Sequence, residues 1–370
     1  MQQNFKTTTF PTRIEAILYR IKKIDPAQYA ISRNYKDGAV TYLSPYISRG
    51  VISTRQVYEH VIALGLPWSK SEKLIQELAW RDYWQQVWVA KRDRIKSDLR
   101  YQQEPVLNDG IPVAIVEAQV GIQVVDDAIQ QLYRTGYMHN HMRMYVASIC
   151  CNIAHAHWLA PAKWMYSHLL DGDLASNYLS WQWVAGTFSN KKYYANQSNM
   201  NTFFGSSQKD TFLDSDYAHL TRLKIPKSLT RITSFQCNTP LPQVAQPLLE
   251  KHKTTLIYNY YNLDPYWYAE QDVQRVLLLE PSFFKENPVS KRCIDFVIEL
   301  AKNIDKIQIF VGEFLELQQQ VVTDHIIFKE HPANDHYREK EEPRNWLSSV
   351  KGYFPSFFAY WKKCKKELYE

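Results

Sequence analysis

The hydrophobic period changes partway along this chain, and no other feature constrains its folding as much. Through residues 1–220 apolar side chains recur at i, i+3, i+4 and i+7, as over 75–89 and 124–132. That spacing lines one face of an α-helix. Ser71 and Asp109 stand where helix starts are expected, because a short oxygen-bearing side chain accepts from a free N–H of the first turn. Over 221–249 the pattern lapses, and Pro226, Pro240, Pro242 and Pro247 mark a linker or a wrapped surface segment. Beyond it the apolar runs shorten. Residues 255–260, 276–280, 307–312 and 326–328 read as strands, with a helix over 290–303 among them and a last one over 354–368. The expected fold class is mainly α: a helical domain over 1–220, a Pro-rich linker over 221–250, and a smaller α/β region over 251–370 holding a small parallel sheet. No Walker loop or GxGxxG follows these strands, so nothing marks the C-terminal region as a nucleotide site.

Composition narrows the class. The 370 residues are 45% hydrophobic and 14% aromatic, with 25 Tyr and 11 Trp against 11 Gly. Such a chain is globular and can bury a large core. No apolar run approaches a membrane span, and the opening MQQNFKTTTF lacks the basic-then-apolar order of a signal segment. A cytoplasmic protein with no membrane partner, monomeric by default, is expected. The five cysteines, at 150, 151, 237, 293 and 364, are odd in number and include no CxxC pair. They suit reduced core thiols better than a disulfide framework or a zinc or iron–sulfur site. Charge is uneven: the first hundred residues hold 17 Lys and Arg against 9 Asp and Glu, and the remainder is near neutral. A basic half suggests a polyanion such as DNA, although a solvated surface with surplus lysines gives the same count.

Four segments carry possible chemistry. Tyr29-x-x-x-Arg33 precedes a hydroxyl-rich stretch, Thr41-Tyr42-Leu43-Ser44-Pro45-Tyr46, running into a helix. Backbone N–H groups and hydroxyls there suit a phosphate; an ordinary helix start with an early proline reads the same way. In Glu77-Leu-Ala-Trp80-Arg81-Asp82-Tyr83-Trp84, helical spacing puts Glu77, Trp80, Arg81 and Trp84 on one face. That mixture suits a pocket for a planar heterocycle, and equally an amphipathic helix with an i,i+4 ion pair and a snorkelling arginine. Thr135 to Met144 reads TGYMHNHMRM, with Asn140, Arg143 and Met144 on one face. Its two histidines face opposite ways with no acid or thiol at ligand spacing, so no metal is expected. The last segment, Asp171-Gly172-Asp173-Leu174-Ala175-Ser176-Asn177, runs on to Trp181-Gln182-Trp183. Its DGD could make a calcium-like turn, but the other loop positions are missing.

Taken in order, YxxxR, the LSPY loop, ELxWR, TGxMHNxxRM and DGDLAxNxxxWQW resemble the FAD-binding domain of the DNA photolyase and cryptochrome family over residues 25–215. The resemblance implies a carbon–carbon lyase of the deoxyribodipyrimidine photolyase type, with FAD as cofactor and DNA containing pyrimidine dimers as partner. It implies a folded FAD, its phosphates held by Tyr29, Thr41, Leu43 and Ser44 with Arg81 nearby. Arg143 would pair with Asp171 beside the flavin ring, Asp173 would contact its polar edge or the ribose, and Asn177 would face N5. Glu77 and Asn140 would hydrogen-bond a flipped dimer, Trp80, Trp183 and Met144 would pack on it, and Arg33 would hold the DNA backbone. Trp181 and Trp158 match the proximal and middle members of the family's electron-transfer chain. Asn140 and Met144, where the 6-4 branch carries histidines, point to cyclobutane dimers. A cryptochrome-like blue-light sensor without repair is the alternative.

The sequence also departs from the family pattern. Val40 and Tyr42 stand where Thr and Arg are usual, and 120–126 lacks the usual proline. No tryptophan matches the distal electron donor, for which Tyr101 is the substitute considered, and Lys191 and Lys192 follow WQW where an arginine is expected. On this reading the family's α/β antenna domain is not expected ahead of the helical part. The C-terminal α/β region is a candidate for a rearranged counterpart.

Overall fold

A computed structural model describes residues 9–321 and 325–369. The first eight residues, on which the signal-segment reading partly rests, lie outside the described residues. The chain divides into two compact units that interleave in sequence. One comprises residues 27–40 and 91–237 with the chain start to Phe10; the other comprises 11–26, 41–90 and 238–370. Residues 1–220, read as one helical domain, are thus shared between both units.

The helices run in chain order from α1 (Ile14–Lys22) and α2 (Pro26–Ser32) to α3 (Ser44–Ser48), α4 (Thr54–Ala63) and α5 (Trp68–Lys91). After strand β1 (Ile111–Pro112) come α6 (Val113–Val116), α7 (Gln123–Thr135), α8 (Asn140–Ser148), α9 (Leu159–His168) and α10 (Leu174–Ala185). Next are α11 (Gln197–Phe204) and α12 (Tyr217–Leu220), then β2 (Ile232–Thr233), which pairs antiparallel with β1. Two expected helix starts are corrected. Ser71 is buried inside α5, which begins at Trp68 behind Pro67, because proline favours a helix entrance more strongly than a serine already inside. Asp109 with Gly110 instead forms a bend into β1, the turn role these two residues often take.

In the unit built around 91–237, α8 packs on α10 and α10 on α9. Its core is aromatic: Tyr145, Trp158 and Tyr178 have no exposed surface, and Tyr166 nearly none. Two left-handed glycines end the helices that frame the site, Gly136 (φ 71°) after α7 and Gly186 (φ 86°) after α10. A side chain at either would strain the backbone.

In the other unit, β3 (Thr255–Tyr258), β4 (Gln274–Leu279), β5 (Gln308–Val311), β6 (Ile326–Lys329) and β7 (Lys340–Glu342) form one sheet in the order β5-β4-β3-β6-β7. All its pairs are parallel. Helices α13 (Pro281–Glu286), α14 (Lys291–Ala301) and α15 (Phe314–Gln318) lie among these strands in sequence, and α16 (Phe357–Tyr369) ends the chain. The strands read as continuous apolar runs because such a sheet is covered on its faces; β3 and β4 are buried throughout. Ile257, Val276, Leu278, Phe310, Phe314, Ile326 and Phe328 form their common core, with Leu249 packed against it. Of the proline-rich segment, Lys227–Leu229 makes a 3-10 turn and β2 the one strand; Thr239 and Leu248 hydrogen-bond to Val289 and Gln308 of the sheet region. Among the described residues no helix is long and apolar enough to cross a membrane, and no group of three or more His, Cys, Asp or Glu could hold a metal.

Candidate flavin and substrate residues

The strongest local device is in the unit around 91–237. Asp171 lies just beyond the end of α9, and Arg143 reaches it from α8. One guanidinium nitrogen lies 3.0 and 2.9 Å from its two carboxylate oxygens. The Nε donates to the carbonyl of Met138 at 2.9 Å. The Asp171 side chain is 4% exposed and that of Arg143 20%. A carboxylate this buried is costly unless paired, so each group holds the other in place. Asp173 caps α10, its Oδ1 accepting from the Ser176 N–H at 2.7 Å. One turn on, Asn177 is buried and donates its amide to the carbonyl of Ala162 at 2.9 Å, while among the described residues its Oδ1 accepts nothing. A fixed ion pair on α8 and an amide acceptor on the adjoining α10 suit the polar edge of a heterocycle. These residues fit a flavin ring.

The same unit holds further expected residues. Trp181 is 2% exposed and Trp158 fully buried, whereas Trp183 is 36% exposed and lies 5.9 Å from the Tyr193 ring. Asn140 is exposed at the first position of α8, and Met144 is half-buried one turn later. Tyr29 is half-buried on α2, and Arg33 folds back to donate to the Ala30 carbonyl at 2.8 Å. Lys192 donates to the Glu104 carbonyl, and burial lowers its pKa; Lys191 is exposed. Tyr101 is 51% exposed, and the ring neighbours of Trp158 among the described residues are His157 and Tyr178.

The other unit gathers the remaining set. Thr41 Oγ1 accepts from the Leu43 N–H at 3.4 Å, Leu43 is buried as the residue before α3, and Ser44 opens that helix with Pro45 next. Arg81 on α5 donates to Ser48 Oγ, at the end of α3, at 2.8 Å. Glu77 makes an i,i+4 ion pair with Lys73 at 2.9 Å, each side chain about 30% exposed. The indole of Trp80 stacks on Phe357 of α16, with centroids 3.7 Å apart and planes at 10°. Phe357 is 2% exposed and Trp80 half-buried, so the accessible part of the indole is not the face beneath Phe357.

Sequence reasoning missed two groups beside these residues. Asp82 is 5% exposed, accepts from Thr54 Oγ1 at 3.1 Å and from the Leu347 N–H at 2.7 Å, and burial raises its pKa. Asp98 accepts from the indole Nε1 of Trp158 at 2.7 Å. Both partnerships join residues far apart in sequence, and no local pattern marks them.

The FAD binding domain of DNA photolyase matches residues 74–218. A Streptomyces griseus deoxyribodipyrimidine photo-lyase is 33% identical over 162 residues, 42% of this chain and 35% of that protein. One from Vibrio cholerae is 34% identical over 152 residues, 39% and 32% of the two chains. The match thus spans about a third of those relatives' own length. A solved Synechocystis cryptochrome superposes with a TM-score of 0.50 at 26% identity, covering 53% of this chain and 44% of that one. Over residues 74–218, less than half of its length, the chain is similar to the FAD binding domain of DNA photolyase, and FAD is the cofactor of that domain.

Proposed function

We propose that the chain binds FAD and uses light to split cyclobutane pyrimidine dimers in DNA. The observation that carries this reading is the buried Arg143–Asp171 pair with Asn177 on the packed neighbouring helix. When bound, reduced FAD excited by light supplies an electron to the lesion and takes it back. The protein's own groups position and insulate. Arg143 and Asp171 offer a fixed charge pair to the ring's polar edge, and the unclaimed Oδ1 of Asn177 is an acceptor for a ring N–H. In the same unit Tyr29 offers a hydroxyl and Asp173 a carboxylate; the resemblance assigns Thr41, Leu43, Ser44 and Arg81 of the other unit to the phosphates. A dimer flipped from the duplex would meet, in the unit around 91–237, Asn140 as a hydrogen-bonding group and Trp183 and Met144 as packing surfaces; the resemblance assigns the same two roles to Glu77 and Trp80 of the other unit. Asn140 and Trp183 are exposed, and Glu77, Trp80 and Met144 partly so, as contact with a substrate requires.

A light-sensing flavoprotein without repair is the second reading, and one observation favours it: Phe357 closes one face of Trp80 to a stacked base. The two part company in one assay. FAD-loaded protein with reductant under blue light is expected to restore thymine-dimer oligonucleotides; absent turnover leaves the sensor. Protein that purifies colourless and takes up no FAD excludes both.

A further inference from the structure

Resting on the flavin reading above, the geometry points to Asp98 as the proton acceptor that makes Trp158 the terminal electron donor of the helical part. Trp158 has no exposed surface. Among the described residues its ring neighbours are His157 and Tyr178, each 5.7 Å away. Tyr178 is on α10, one turn before Trp181, so it lies on the inward side. Among the described residues no other aromatic ring is in contact with Trp158.

What lies there instead is a carboxylate. Asp98 Oδ1 takes the indole N–H at 2.7 Å and faces Nε2 of His157 at 3.3 Å. The His157 Nδ1 accepts from the Leu159 N–H at 3.4 Å, which leaves Nε2 as the ring's donor. Asp98 Oδ2 accepts from the Gln103 N–H at 2.8 Å. Gln103, 3% exposed, binds back to the tryptophan segment, taking the Trp158 N–H at 3.0 Å and donating to the Ala156 carbonyl at 2.8 Å. The carboxylate is therefore clamped to the backbone that carries the indole it faces.

An indole that has lost an electron is a strong N–H acid, and a positive charge in a buried site is poorly solvated. With His157 and Tyr178 as its ring contacts and no water at its surface, the indole proton goes to the carboxylate that already accepts its hydrogen bond. Bound oxidised flavin excited by light would supply the oxidant, and Trp158 would give up one electron toward it, with Trp181 between them as the resemblance implies. The Nε1–H bond then breaks with its electron pair staying on nitrogen, and the proton forms an O–H bond on Asp98 Oδ1. A neutral indolyl radical and a neutral carboxylic acid remain. The side chains of Asp98 and His157 are 22% and 25% exposed, so the acceptor touches solvent where the donor does not.

The test is flash excitation of the FAD-loaded protein, following indole radical absorption in H2O and D2O, with Asp98→Asn alongside. The wild type is expected to form the neutral radical with a solvent isotope effect. Asparagine can keep the hydrogen bond but cannot take the proton, so deprotonation should slow about a hundredfold and the radical cation should recombine instead. Trp158→Phe should remove the long-lived radical and leave FAD bound. The Trp158 indole 15N–H resonance, read in the dark, should move in Asp98→Asn, a readout independent of turnover. A wild-type radical that stays cationic, or a neutral radical formed at the wild-type rate in Asp98→Asn, overturns this inference alone. Protein that holds no flavin overturns the proposed function with it.

Discussion

Two residue pairs each give a sharp expectation. Breaking the Arg143–Asp171 pair leaves a charge with little access to water. Asp171→Ala should cost about 3 kcal/mol, the low end for a buried pair because the arginine keeps some solvent contact, measured by urea unfolding. The same variant should lose flavin absorbance on purification. Phe357→Ala removes a nearly buried ring from the face of Trp80, and should lower stability by about 3 kcal/mol and shift tryptophan emission to the red. Its FAD content should match the wild type. A double-mutant cycle of Trp80 and Phe357 should return about 1 kcal/mol of coupling beyond area burial; zero coupling would mean the rings merely sit together.

At the scale of single helices, α8 and α10 each depend on one capping side chain. Asp173→Ala should cost about 1 kcal/mol and loosen the first turn of the helix carrying Asn177, seen as faster amide exchange there. His139 caps α8 through Nδ1, which accepts from the His141 N–H at 3.2 Å. Burial, with His141 and Arg143 nearby, pushes its pKa from 6.5 down to about 4. A group depressed in the folded state contributes stability in full above its unfolded pKa, and loses it as pH falls toward the folded value. Stability should therefore drop between pH 6.5 and about 4, by up to roughly 3 kcal/mol from this site. His139→Asn keeps a cap and does not titrate, so its urea midpoint should fall less over that range. An equal fall would place the acid sensitivity elsewhere.

For the whole molecule, if DNA is bound as proposed, the basic excess in the first hundred residues should release counterions on binding. Affinity for a dimer-bearing oligonucleotide should fall by about 10³ between 50 and 200 mM salt if some six phosphates are neutralised; a flat dependence would assign those charges to solubility. How much of this was legible in the sequence followed the range of each interaction. Periodicity, set by neighbours three to four residues apart or by alternation, located α5, α7, α14 and four of the five sheet strands to within a few residues. It missed β7, whose Lys340-Glu341-Glu342 has no apolar signal and pairs at the sheet edge. The Arg143–Asp171 pair was implied by the resemblance that the ordered motifs carry, and the structure forms it. The interleaving of two compact units was not legible, nor Phe357 on Trp80, 277 positions apart, nor Asp98 on Trp158, 60 apart. By itself the sequence determined the helical class and the change to a parallel sheet, since those depend on local period, and its ordered motifs carried the resemblance to the FAD-binding domain. Only the tertiary structure decided which side chains stand against them, because contacts between distant segments arise from packing, and packing leaves no mark at any fixed spacing in the chain.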